Sequence, residues 1–194
     1  MSALPAGCRR VPAPPPKRER ARRPTTRLDR DRRWTVFLET NCGTVAIRLA
    51  TRGGPDSSTS FAALARRGFY DGLTFHRIAG DPATGPFVIQ GGDPLGTGLG
   101  GPGYIVVDKP PPGTRYTRGT VAMAKTATEP RGASGSQFFI VTAADSGLPP
   151  DYALVGRVVG GKKTVERIAS VQTDDQERPV APVVIQHATL AGGS

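Results

Sequence analysis

At 194 residues the chain is long enough for one domain with a proper core and a tail. Its 25 Gly and 19 Pro favour frequent turns and many short strands, and no apolar run approaches the roughly eighteen residues of a membrane-crossing helix. Two cysteines, Cys8 and Cys42, make a disulfide framework implausible, and with His76 and His187 at these spacings they make no convincing zinc site.

The net charge of +10 is unevenly spread. Residues 1–33 hold eleven Lys/Arg against three Asp/Glu, leaving only +2 for the remainder. This stretch is rich in Pro, Arg and Ala and poor in large apolar residues, so it is expected to be a disordered tail, with 34–194 the folded domain. Pro12, Pro14, Pro15 and Pro16 favour extended polyproline conformations. Lys17 to Arg33 could make weak contact with nucleic acid or anionic lipid; the plainer alternative is a solvated extension. With no signal segment visible, the cytoplasm is the expected compartment, or the envelope if the true start lies upstream.

The domain opens with a hairpin. Trp34 to Thr40 and Thr44 to Leu49 alternate apolar and polar residues around a turn at Asn41-Cys42-Gly43, with Cys42 a small turn residue. After Gly53-Gly54-Pro55-Asp56, Ser57 or Ser58 is placed to cap a helix through about Arg67, with Phe61, Leu64 and Ala65 as its buried stripe. Thr74 to Ile78 reads as a strand with Phe75 and Arg77 on one face and His76 and Ile78 on the other. Arg77 is either a surface arginine or a fixed donor beside aromatic residues. His76 is read as a satisfied structural histidine rather than a base.

A loop from Ala79 to Pro86 precedes Phe87 to Asp93, where Gly91 and Gly92 permit close backbone approach or a bulge. Gly96 to Tyr104 lacks the lysine and the strand-to-helix context of a phosphate-binding loop and reads as irregular surface. Gly119 to Lys125 and Leu154 to Val159 are strands, Lys162 to about Ser170 is a second helix, and Val180 to Leu190 closes the chain with His187 an ordinary strand residue.

Between these lies Gly135 to Thr142, a turn pair running into a strand. Alternation puts Gln137, Phe139 and Val141 on one face and Phe138 and Ile140 on the other. An amide in register with an aromatic ring could offer a polar group and an apolar wall to one ligand. The alternative is a core strand with Gln137 at its frayed end. The count of about eight mostly antiparallel strands and two helices predicts an all-β protein, a closed eight-stranded barrel capped by two short helices. Side chains would fill its interior, so a site must lie on the outer wall.

Five motifs occur in order: FHRI from Phe75, FVIQGGD from Phe87, GTGLGGPGY from Gly96, VAMAK from Val121 and GSQFF from Gly135. Together they resemble the cyclophilins, peptidyl-prolyl cis-trans isomerases, over about Thr35 to Leu190, and the Gly-Leu-Pro-Pro-Asp-Tyr loop has a bacterial style. The resemblance implies catalytic roles for Arg77 and Gln137. It places Phe87, Val88, Gln90, Ala124, Lys125, Phe139, Leu148 and Tyr152 in the substrate groove, with Tyr152 where the family commonly has histidine. Gly147 stands where many eukaryotic members have tryptophan, which implies weak inhibition by cyclosporin. No cofactor or metal is implied. The implied partners are proline-containing peptides and unfolded proteins, and the implied state is a monomer that assists folding. A non-catalytic proline-peptide binding module is the alternative.

Overall fold

The computed structural model describes residues 4–81 and 83–193. Residues 1–3 of the expected tail, Pro82 of the expected loop and the terminal Ser194 lie outside the described residues. Alternation in the opening hairpin is realised as β1 (Arg33–Thr40) paired with β2 (Gly43–Leu49), with Val36, Leu38, Val45 and Ile47 turned inward and fully buried. Then follow α1 (Pro55–Arg66), β3 (Thr74–Asp81), β4 (Gly85–Asp93), β5 (Val106–Val107), β6 (Thr120–Met123), β7 (Ala133–Ser134), β8 (Phe138–Val141), β9 (Leu154–Gly160), α2 (Lys162–Ala169) and β10 (Ile185–Gly193). Strands β5 and β7 pair separately, and the other eight form one antiparallel sheet in the order β10-β1-β2-β9-β6-β8-β4-β3.

The sheet curls but does not close, which corrects the expectation of a closed barrel. Between β3 and β10 the ladder is replaced by one bridge, Thr74 to Val184, flanked by Phe75 N–H to Val183 O (2.9 Å) and Ile185 N–H to Leu73 O (2.8 Å). Loops occupy the edges a closing ladder would need. Beyond Phe75, the free edge of β3 is met by Glu177, whose carbonyl accepts the Ile78 N–H at 2.8 Å. The chain before β10 docks on 71–75, and Asp71 accepts the Ala188 N–H at 2.8 Å. These contacts cover part of each edge strand, which limits its pairing with a stray partner.

Strand alternation divides the buried side chains into two clusters. The inner one centres on Phe61, Tyr70, Phe75 and Phe138, whose rings meet edge-on or tilted at centroid distances of 5.0–5.7 Å. The outer one holds Ala79, Val88, Tyr116, Ala122, Phe139 and Val141. The reading of Gly135 to Thr142 holds: Phe138 and Ile140 face in, Phe139 and Val141 face out.

Several local expectations change. Helix α1 starts one turn earlier than expected: Gly54 is its N-cap without a side-chain bond, and Ser57 and Ser58 lie buried inside it. A capping acceptor comes from afar, since the Asp108 carboxylate takes the Ser57 N–H at 2.5 Å. In β3 a bulge intervenes between Phe75, opposite Gly91, and Arg77, opposite Gln90. The extra residue flips the parity of the strand, so Phe75 and Ile78 share the inner cluster and Arg77 points outward. The loop expected over 79–86 is largely continuation of β3 and β4. Gly92 has φ 84° and a Cβ there would lie 2.5 Å from the Ser136 carbonyl, the close approach read from the sequence.

The stretch expected to be disordered lies as an extended strap on the domain. Cys8 is disulfide-bonded to Cys42, which stays a turn residue as expected; the judgement that two cysteines make a disulfide framework implausible is corrected. Backbone bonds run from Arg9 to Asn41 (2.8 Å), Lys17 to Pro94 (2.7 Å) and Ala21 to Pro102 (2.9 Å). Leu4, Cys8, Ala21 and Leu28 pack on the inner cluster's margin, and Arg27 pairs with Asp56 through Nε and Nη2. Composition misses this because the anchors are sparse. A cross-link spanning 34 positions removes unfolded-state entropy that so few apolar contacts could not offset.

Candidate active site on the outer wall of the sheet

Register brings the polar residues into one row. Arg77 on β3 lies opposite Gln90 on β4, Gln90 lies opposite Phe139 on β8, and Phe139 lies opposite Ala122 on β6. Arg77 and Phe139 are thus two strand spacings apart, about 10 Å, a span that a short peptide segment can bridge. The Arg77 side chain is 46% exposed and directed away from the inner core.

A directional relay links these groups. Arg77 Nη1 donates to Gln90 Oε1 (3.4 Å), Gln90 Nε2 donates to Gln137 Oε1 (3.0 Å), and Gln137 Nε2 donates to the carbonyls of Gly98 and Gly100 (both 2.9 Å). Gln137 sits immediately before β8, where its backbone carbonyl accepts the Ala124 N–H at 2.9 Å. The Gly96 to Tyr104 stretch, read as irregular surface, therefore terminates the relay. It also walls a cleft lined by Gln90, Ala124, Lys125, Glu129, Gln137 and Arg20 of the strap. On the other side, Arg77 Nε donates to Glu177 Oε2 at 2.7 Å.

Next to the relay is an apolar notch. Phe139 and Val88 form its floor, each 4% exposed, with Phe87, Ala124, Leu148 and Tyr152 around them. The Tyr152 ring stands on Phe139 at 5.2 Å and 89°. Tyr116 locks this wall: its hydroxyl donates to Tyr152 O (2.6 Å) and accepts the Tyr152 N–H (2.9 Å), while burial pushes its pKa up to about 12. Lys125 Nζ lies 5.9 Å over the Tyr152 ring, which gives the notch a cationic rim. Gly147 has φ 67°, a left-handed conformation that a bulky side chain resists, which is a backbone reason for glycine at that loop position.

All ten residues singled out from the sequence belong to this relay and notch. Two neighbours were missed. Tyr116 lies in a loop with no periodicity to mark it, and Glu177 meets Arg77 across a sequence separation of 100. His76, read as a satisfied histidine, is corrected: both ring nitrogens are buried and neither makes a hydrogen bond of good geometry among the described residues, and burial holds its pKa below the ordinary value against the opposing pull of Asp93 and the Thr74 backbone.

An outward-facing arginine tied to Gln90 and, through it, to Gln137, beside an aromatic-floored notch on an eight-stranded curled sheet, defines a class that known proteins share. The family profile for cyclophilin type peptidyl-prolyl cis-trans isomerases matches residues 35–190. A peptidyl-prolyl cis-trans isomerase-like 1 of Mus musculus is 40% identical over 161 residues, covering 81% of this chain and 92% of that protein. Its namesake in Neurospora crassa is 40% identical over 159 residues, covering 80% and 93%. A crystal structure of a Cryptosporidium parvum cyclophilin-type isomerase superposes with a TM-score of 0.73 at 29% identity, covering 84% of this chain and 99% of that one. The same parasite enzyme has been solved in the presence of the dipeptide Ala-Pro, with a TM-score of 0.72. The chain belongs to the cyclophilin-type peptidyl-prolyl cis-trans isomerases, and it is an isomerase acting on Xaa-Pro bonds. These relatives are eukaryotic, so the bacterial style read from the Gly147 to Tyr152 loop finds no support in them.

Proposed function

We propose that Arg77 is the donor that lowers the rotational barrier and that the Phe139 notch holds the substrate proline. Rotation about an Xaa-Pro amide is opposed by a barrier of about 18–20 kcal/mol because twisting breaks amide resonance. No bond is cleaved, so the reaction calls for no nucleophile. As the amide twists, its nitrogen recovers a lone pair and becomes a better acceptor. A donor aimed at that nitrogen binds the twisted state more strongly than the planar one, and only such differential binding accelerates the step.

A guanidinium suits this task because it is planar, always charged and rich in donors. Among the described residues, Arg77 Nε and Nη1 are engaged, while Nη2 has no protein acceptor. Phe87, Val88, Phe139 and Leu148 would hold the pyrrolidine ring while the preceding residue turns. Gln90 and Gln137 orient the guanidinium and bind substrate backbone, and Ala124, Lys125 and Tyr152 complete the wall. A rate gain of about 10⁵ asks for roughly 7 kcal/mol from these contributions together.

The substrates in this reading are proline-containing peptides and unfolded chains, and the role is assistance to folding. The Ala-Pro dipeptide used with the parasite relative supports that ligand class. The observation that carries the reading is the relay from Arg77 through Gln90 to Gln137 beside the Phe139 floor. A prolyl-peptide isomerisation assay tests it. Arg77→Ala should lose about 10²–10³ of kcat/KM with an unchanged circular dichroism spectrum. Wild-type rates from that variant would reject the assignment.

A further inference from the structure

Glu177 occupies an unusual position for an acidic residue. Among the described residues it alone combines a side chain beyond hydrogen with positive φ, at 61°. Its loop, between α2 and β10, is a tight turn closed by the Thr173–Pro179 bridge. Asp174 Oδ1 accepts the N–H groups of Gln176 and Arg178 there, each at 2.9 Å. That turn aims three acceptors of one residue at the free edge of β3. Glu177 O takes the Ile78 N–H at 2.8 Å, Oε1 takes the Gly80 N–H at 3.1 Å and Oε2 takes Arg77 Nε–H at 2.7 Å. A left-handed backbone is unfavourable for a residue with a Cβ, and glycine would adopt it freely. The backbone bond to Ile78 does not explain why a glutamate stands there, because glycine could make the same bond.

The carboxylate supplies what the backbone cannot. The Arg77 side chain is 46% exposed and Glu177 34%, so this ion pair adds little to stability. Its effect is geometric. A planar guanidinium held only at Nη1, by the 3.4 Å contact to Gln90, could still swing about its long aliphatic stem. A second anchor at Nε fixes the plane and leaves Nη2 without a protein acceptor among the described residues. Donors fixed before the amide twists need no reorganisation during the step.

We propose that Glu177 is a positioning residue for the isomerase reaction, holding Arg77 at Nε so that its free edge meets the twisting amide; this rests on the reading of Arg77 as the catalytic donor. The test compares the full chain with Glu177→Gly, which suits the backbone and removes the carboxylate, and with Glu177→Gln. Glu177→Gly should lower kcat about tenfold with KM changed less than about twofold, and Glu177→Gln should fall between it and wild type. In an Arg77→Ala background, Glu177→Gly should cause no further loss. In nitrogen-15 NMR spectra the slow exchange of the Arg77 Nε–H should be lost in the glycine variant. A wild-type kcat for Glu177→Gly beside an inactive Arg77→Ala would overturn the proposal alone. Losses that simply add in the double variant would do the same. An active Arg77→Ala would instead overturn the reading beneath it.

Discussion

Strand β8 shows two solutions to one packing problem. On its inner face, Phe138 is fully buried among Phe61, Tyr70 and Phe75. On its outer face, Phe139 is nearly as buried, yet its cluster stops at a rim carrying Gln137, Gln90, Arg77 and Lys125. The inner rings have packing partners all round. The outer ring faces Tyr116 and Tyr152 and leaves a notch a pyrrolidine could fill. Neighbouring residues of equal hydrophobicity therefore join a closed core on one face and, in the proposed reading, a binding notch on the other, and strand alternation alone assigns them.

The sharpest way to break this contrast is to truncate each ring. Phe138→Ala should destabilise the fold by about 3–5 kcal/mol in denaturant unfolding. Phe139→Ala should cost less stability but raise KM for prolyl peptides several-fold. Equal losses of stability with no change in KM would erase the distinction.

The strap offers a smaller test. Cys8→Ser should destabilise by about 2–4 kcal/mol, because the unfolded chain regains the entropy the cross-link removed, while turnover stays near wild type. A large loss of turnover would instead tie the strap to the outer face. The smallest effect belongs to His76, at the bulge between the two faces. Its folded pKa lies below the ordinary 6.5 because of burial, with Asp93 and the Thr74 backbone opposing and Arg77 and Arg178 reinforcing the shift. The unfolded state thus takes up a proton first, so stability present above about pH 6.5 should decline as pH falls through the folded value. His76→Phe should flatten that part of the stability profile.

Much of this was legible in the chain. The period-two pattern from Phe138 to Val141 assigned both faces of β8, and the opening hairpin was placed within a residue. The ten residues singled out from the sequence lie together on the outer face. What failed was parity and partnership. The bulge in β3 reversed the side of Arg77, because one extra residue shifts every later side chain to the other face. Barrel closure failed because segments outside the regular strands took the edges of β3 and β10.

Local periodicity, turn chemistry and five ordered motifs were enough to determine an all-β isomerase and to point to its outer wall for the candidate site. Only the tertiary structure decided that Cys8 joins Cys42, that Tyr116 braces Tyr152 and that Glu177 holds Arg77. Each of those pairs is remote in sequence, and no local pattern records which distant segments the curled sheet brings together.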